Sequence, residues 1–166
     1  RLLLSPTGRE LRAEVEAILT ATLADELSSA PWRRLLDDAT KAGEEAEGTA
    51  RDLLEEESQA GMKRTAKDIA DGAKRAGRRR RTEILDLGLE LCALWLRDLA
   101  ALAAGAEEVV FGRDRLDLLR SQATKIDPGW ARAGAAAVQD TRRGLDLNVS
   151  EELALEALFY RLARTA

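Results

Sequence analysis

The sequence contains no histidine and only one cysteine among its 166 residues. Histidine is the usual general base near neutral pH and a common zinc ligand, so its absence excludes imidazole-based triads and most zinc sites. The one cysteine, Cys92, excludes an internal disulfide, and its place in a leucine run predicts a small buried side chain rather than a reactive thiol. Because such cysteine usage fits a reducing compartment, we expect a cytoplasmic protein.

Aromatic residues make up only 4% of the chain, so leucine and alanine must supply most of the packing. No stretch alternates apolar and polar residues with the period of two that marks a strand. The longest apolar segment is interrupted by Glu90, Arg97 and Asp98, which argues against a membrane span. The composition therefore predicts an all-α fold, a helical bundle of about five to seven helices that forms a single domain over residues 1–166.

Residues 84–102 are apolar in nearly every direction around a helix, and this pattern predicts a central helix packed on several sides. Gly105 is expected to end it. Asp127 followed by Pro128 predicts the start of a later helix, because an aspartate cap and a proline at the first position both favour a helix N-terminus. Along that helix, one apolar face is predicted from Trp130, Ala133, Ala137, Val138 and Thr141.

The last helix is predicted to begin after Ser150, which can cap its first turn. Leu155, Leu158 and Leu162 recur at the spacing of one helix face, and we expect them to fill the core. Tyr160 and Arg161 lie off that face. Phe159 follows the spacing of the core face, and it could fill the core or dock a neighbour. Together with Tyr160 and Arg161 it forms a candidate interface with a partner protein.

Two neighbouring segments carry opposite charge. Residues 37–57 contain nine acidic and two basic residues, and residues 63–81 contain nine basic and two acidic residues. A turn near residues 59–61 would pair them as antiparallel helices, with the charges setting the register more than the stability. Because the acidic segment is poor in apolar residues, we expect residues 37–61 to be solvated and partly mobile.

The basic segment includes four consecutive arginines, residues 78–81, which wrap around a helix rather than share one face. One coherent stripe is nevertheless formed by Lys67, Lys74, Arg78 and Arg81. Its simplest interpretation is a solvated helix end paired with the acidic segment. The alternatives are contact with nucleic acid and contact with a protein partner. Against nucleic acid, no aromatic residue lies within the stripe for base stacking, and the net charge of the chain is −4.

No motif for catalysis or cofactor binding was found. The sequence has no phosphate-binding glycine loop, and consecutive glutamates such as Glu55, Glu56 and Glu57 point in different directions around a helix instead of converging on a metal. We therefore expect neither catalytic residues nor a metal or cofactor in this chain. A self-dimerising coiled-coil adaptor is also disfavoured, because no heptad pattern is sustained.

The C-terminal sequence LNVSEELALEALFYRLAR and the segment KRAGRRRRTEILDLGLELCALWLRDLAALAAGAEEVV carry a family resemblance. Both resemble the C-terminal collar domain of the delta-prime subunit of the bacterial DNA polymerase III clamp loader. The likeness covers about residues 62–164. It is carried in the first segment by Asn148, Leu153, Leu155, Glu156, Leu158, Phe159, Tyr160 and Arg161, and in the second by residues 79–82, Trp95, Arg97 and Asp98. The pair Phe159–Tyr160, aliphatic in the family, and the acidic segment 37–57 depart from the pattern.

The resemblance implies a structural rather than a catalytic role in DNA replication. In that family the collar domains of delta, delta-prime and tau/gamma join into a ring that holds the pentameric loader together while it uses ATP to place the sliding clamp on DNA. The ATPase-fold domains precede the collar domain in the chain. Since the sequence begins at Arg1 rather than methionine, we expect a fragment of such a longer protein, and its 21 arginines against 5 lysines suggest a GC-rich, actinobacterium-like genome.

Overall fold

A computed structural model describes residues 6–145, 147 and 149–163 of the chain. These residues form helices joined by turns and short loops, and no strand occurs among them. The α-helices are α1 (Pro6–Leu23), α2 (Arg33–Gln59), α3 (Ala66–Ala103), α4 (Leu116–Ala123), α5 (Pro128–Leu145) and α6 (Glu151–Ala163). Short 3-10 helices occupy Leu27–Ser29, Glu107–Val109 and Arg113–Arg115. The prediction of an all-α bundle is confirmed, and its six α-helices fall within the predicted range.

The helices are distributed over two compact units. Unit 1 consists of the residues up to Arg34 and those from Gly88 onwards, and unit 2 consists of Leu35–Leu87. Helix α3 contributes to both, because its basic first half belongs to unit 2 and most of its leucine-rich second half to unit 1. The grouping of residues 1–166 into one domain stays a prediction.

Within unit 1, α6 contacts α1 and α5. The predicted core residues Leu155, Leu158 and Leu162 are buried, as is Phe159. Helix α1 presents Val15, Ile18 and Leu19 at helical spacing, and all three are buried. The core of unit 1 therefore follows from apolar residues that recur on one face of each helix.

Helix α5 corrects one sequence expectation. Ala133 is exposed, whereas Ala131 and Gly134 are buried. A Cβ on Gly134 would lie 2.9 Å from Leu162 Cδ2 and 3.3 Å from Leu96 Cδ1, so α5 faces α3 and α6 with its glycine. The predicted face was wrong at this point because it was drawn from apolar side chains, whereas the closest contact is made at a glycine, which has no side chain.

The ends of several helices have recognisable caps. Trp130 N–H donates to Asp127 Oδ2 at 3.0 Å, which confirms the predicted start of α5. At the start of α3, Asp68 N–H donates to Thr65 Oγ1 at 3.1 Å while Thr65 N–H donates to Asp68 Oδ2 at 3.0 Å. This reciprocal capping box was not foreseen. Gly105, which follows the end of α3, adopts a φ of +75°, as a helix-terminating glycine does.

Unit 2 is a helical hairpin. Helix α2 ends at Gln59, Gly61 turns with a φ of +104°, and Arg64 Nη2 donates to Glu57 Oε2 at 2.8 Å beyond the turn. Farther from the turn, Gly43 lies against Gly77. These pairings run antiparallel, so the predicted turn and hairpin are confirmed. Residues 37–59 are helical, and their mobility stays a prediction.

Candidate partner interface and basic stripe

The outward face of α6 is apolar as well as its buried face. Leu153 is 64% exposed, Tyr160 is 44% exposed, and Ala157 between them is also exposed. Their spacing of four and three residues places them on one side of the helix. We call these three residues the outer stripe of α6. Leu147 and Val149, which precede the helix, are exposed large apolar residues too.

The three residues of the candidate partner interface separate in the structure. Phe159 is 0% exposed and stacks on Trp32, with ring centroids 6.1 Å apart and planes 7° from parallel. Tyr160 makes a T-shaped contact with the same indole, with ring centroids 5.4 Å apart, and part of its ring is exposed to solvent. Arg161 is exposed. Phe159 is therefore corrected from a candidate interface residue to a core residue, because its side chain is fully buried.

Sequence reasoning did not include Leu153 among the site residues. The available signal was its position four and seven residues before Ala157 and Tyr160, on the face opposite Leu155 and Leu162. Asn148, which carried part of the resemblance, lies outside the described residues.

Arg97 and Asp98 organise a loop beside α3. The buried carboxylate of Asp98 accepts hydrogen bonds from Phe111 N–H at 3.0 Å and Gly112 N–H at 2.8 Å. Arg97 lies over the Phe111 ring, 4.4 Å from its centroid, and donates to Val109 O at 3.5 Å. The Phe111 side chain is 67% exposed, so this adjacent pair holds an apolar ring at the surface of unit 1.

A second group of contacts fixes the segment that follows this loop. Arg12 donates to both carboxylate oxygens of Asp114 at 3.0 and 2.9 Å, and Arg115 donates through Nε to Glu16 at 3.0 Å. The hydrogen bonds from Arg12 are the main reason why the pKa of Asp114 is lowered. These pairs attach residues 113–115 to α1. Since both carboxylates already have arginine partners, we assign them a structural role.

The basic stripe lies on α3 within unit 2. Lys67, Lys74 and Arg78 are exposed, and Arg81 is half-buried, because its Cβ lies 3.2 Å from the position that a Cβ on Gly43 would take. The structure therefore leaves three members of the stripe facing solvent and places the fourth beside α2. No aromatic residue occurs in residues 35–87.

Catalysis and metal binding need polar groups that converge on one point. Within the described ranges, no three His, Cys, Asp or Glu side chains come close enough to hold a metal ion. Cys92 is fully buried, as predicted, and burial raises the pKa of its thiol to about 12. Helices in the described part of the chain are too short or too polar to cross a membrane.

Compared with protein-family models, curated proteins and solved structures, the chain matches none.

Proposed function

We propose that this chain is an oligomerisation domain that holds a multisubunit assembly together through unit 1. The observation that carries the proposal is the outer stripe of α6, because a helix with apolar residues on both faces is characteristic of one that also packs against a partner. Leu153 and Tyr160 are the large side chains of this stripe, and Arg161 lies beside it.

The resemblance identifies the assembly that we propose, the clamp loader of a bacterial DNA polymerase III. In this proposal the chain is the collar domain of a delta-prime subunit, its neighbours are the collar domains of delta and tau/gamma, and it acts in the cytoplasm during DNA replication. The Arg97–Asp98 pair of the resembling segment supports such a structural role, since both side chains position a loop rather than a reacting group.

Light scattering on defined mixtures tests the proposal. The chain is mixed with the delta and tau/gamma collar domains together, because a ring interface can require both neighbours. We expect a larger species, and we expect Leu153→Glu to weaken its formation about tenfold or more, as burial of an unpaired charge would. Leu53→Glu, which changes an exposed leucine of unit 2, is the matched control and should leave assembly unchanged. Monomers in every mixture, or equal effects of the two substitutions, would contradict the proposal.

A second candidate function is nucleic-acid binding by the basic stripe, and the shared exposure of Lys67, Lys74 and Arg78 favours it. Binding of this kind should weaken steeply with salt, because each neutralised phosphate releases counterions. Fluorescence anisotropy with duplex DNA at several salt concentrations would measure the slope. The Lys74→Glu/Arg78→Glu double variant should then lose binding. Absence of binding to the unchanged chain at low salt excludes this function.

A further inference from the structure

A groove between α3 and α5 in unit 1 is separate from the outer stripe of α6. Its lining includes Ala93 and Ala100 from α3, and Ala135 and Ala136 from α5, with Leu94 beside them. Alanine side chains end at Cβ, so a helix lying in this groove could bring its backbone close to both walls. A floor of this kind suits another helix better than it suits a bulky aromatic anchor.

The groove has a predominantly basic rim. Arg97, Arg132 and Arg142 line it, against one acidic residue, Glu90. Arg97 and Arg132 are exposed, and Arg142 is half-buried with its Nη1 3.4 Å from Gln139 Oε1. The two exposed arginines, Arg97 and Arg132, outnumber the one exposed glutamate, Glu90, so the open part of the rim carries more positive than negative charge. Complementarity therefore favours a partner that carries acidic residues beside its apolar ones.

We infer that this groove binds an amphipathic helix of a neighbouring subunit, with small or apolar residues at positions i, i+4 and i+7 and with glutamates or aspartates flanking them. This inference rests on the proposed function and extends it by specifying the partner surface. Helix α6 of this chain is an example of a helix with such a surface. Its outer stripe has the required spacing, and acidic residues accompany it at Glu151, Glu152 and Glu156.

A ring built by head-to-tail contacts explains why one chain would carry both surfaces. Each subunit of such a ring uses two different patches, one for each neighbour. In this arrangement α6 of the chain docks on one neighbour, and the groove between α3 and α5 receives a helix of the other. The two patches differ in charge, because the groove is basic and the first turns of α6 are acidic.

The test uses a designed helical peptide of about five turns, with alanine and leucine on one face and glutamates beside them. Its twin carries lysine in place of each glutamate. Fluorescence anisotropy with the whole chain measures the two dissociation constants. We expect the acidic peptide to bind about tenfold more tightly or better, since like charges at the rim repel the lysine twin.

Two pairs of matched variants locate the binding. Ala136→Trp should block the groove and weaken binding of the acidic peptide about tenfold or more. Ala133→Trp, at an exposed position of the same helix outside the groove lining, should leave binding unchanged. Arg132→Glu should weaken binding, whereas Arg79→Glu, an equal change of charge at an exposed position of unit 2, should not. Circular dichroism establishes that each variant remains folded.

The outcomes separate this inference from the proposed function. No preference for the acidic peptide, or equal losses within either matched pair, overturns the inference. The same four variants are then mixed with the delta and tau/gamma collar domains. If the peptide binds in the groove but every mixture contains only monomers, the groove is still a helix-binding site and the clamp-loader assembly is contradicted. If the chain still assembles when it carries Ala136→Trp or Arg132→Glu, the proposed function is supported. The groove is then not the contact with a neighbouring subunit.

Discussion

Gly43 and Gly77 meet backbone to backbone at the crossing of α2 and α3 in unit 2. A Cβ on Gly77 would lie 2.9 Å from the carbonyl oxygen of Gly43, and a Cβ on Gly43 would lie 3.0 Å from that of Gly77. Glycine within a helix costs about 1 kcal/mol relative to alanine. The close approach explains why both positions nevertheless lack a side chain.

Substitution of Gly77 by alanine should therefore destabilise unit 2. The added Cβ meets a backbone carbonyl that cannot rotate away, and such overpacking costs about 1–3 kcal/mol against a gain of about 1 kcal/mol in helix propensity, so the net loss should reach about 2 kcal/mol. Gly48 in α2 is the matched control, because a Cβ there meets nothing within 4 Å. Gly48→Ala should stabilise the protein by about 0.5–1 kcal/mol. Urea denaturation followed by circular dichroism measures both changes, and a stabilising Gly77→Ala would contradict the close contact.

Adjacent aromatic residues of α6 should respond differently to truncation. Phe159→Ala removes a fully buried ring that stacks on Trp32, and we expect a loss of about 3–5 kcal/mol in the free energy of unfolding. Tyr160→Ala removes a half-exposed ring with an edge contact to the same indole, so the expected loss is about 0.5–1.5 kcal/mol. Thermal and urea unfolding of the two variants check this order. Similar losses would mean that Tyr160 belongs to the core as much as Phe159 does.

Replacement of Asp98 should release the loop that it holds. Asp98→Ala leaves the N–H groups of Phe111 and Gly112 without their acceptor, and we expect a loss of about 1–3 kcal/mol. Asp98→Asn keeps one acceptor oxygen and should lose less. Hydrogen exchange at the Phe111 and Gly112 amides is the direct measurement, and both should exchange faster. Asp71→Ala, at an exposed position of α3, serves as the control and should leave these amides protected.

The stability of the protein should fall in acid partly through Asp114. Hydrogen bonds from Arg12 lower the pKa of Asp114 in the folded state, so this carboxylate stabilises the fold above its ordinary pKa of about 4. The stabilisation is lost as the pH falls through the lowered folded-state pKa. Because Asp114 is largely exposed, the contribution should be at most about 1 kcal/mol.

Urea denaturation of wild type and Asp114→Asn between about pH 7 and pH 2.5 measures this contribution. The difference in unfolding free energy between the two proteins should be largest near neutral pH and should shrink towards the acidic end. Asp71→Asn, at an exposed position of α3 in unit 2, is the control for the loss of an exposed carboxylate. A difference that does not change with pH would show that Asp114 acts by packing rather than by charge.

Local signals in the sequence predicted several features of this fold correctly. Helix ends were predictable where the signal lies within a few residues, as at Asp127–Pro128 and Gly105, because caps and terminating glycines act on neighbouring backbone groups. Core positions Leu155, Leu158 and Leu162 were predictable from their spacing alone. The opposite charges of residues 37–57 and 63–81, with a turn between them, also sufficed to predict the hairpin.

Contacts between residues far apart in the chain were decided by the tertiary structure. Trp32 stacks on Phe159 and makes a T-shaped contact with Tyr160, and no local pattern in the sequence pairs these residues. Likewise, the close approach of α2 to α3 requires a glycine at position 43. Gly48, five residues later on the same helix, lies where a side chain would meet nothing within 4 Å. Helical periodicity by itself therefore determined which faces are apolar. Only the packing of the helices decided which residues far apart in the chain meet, such as Phe159 with Trp32 and Gly43 with Gly77.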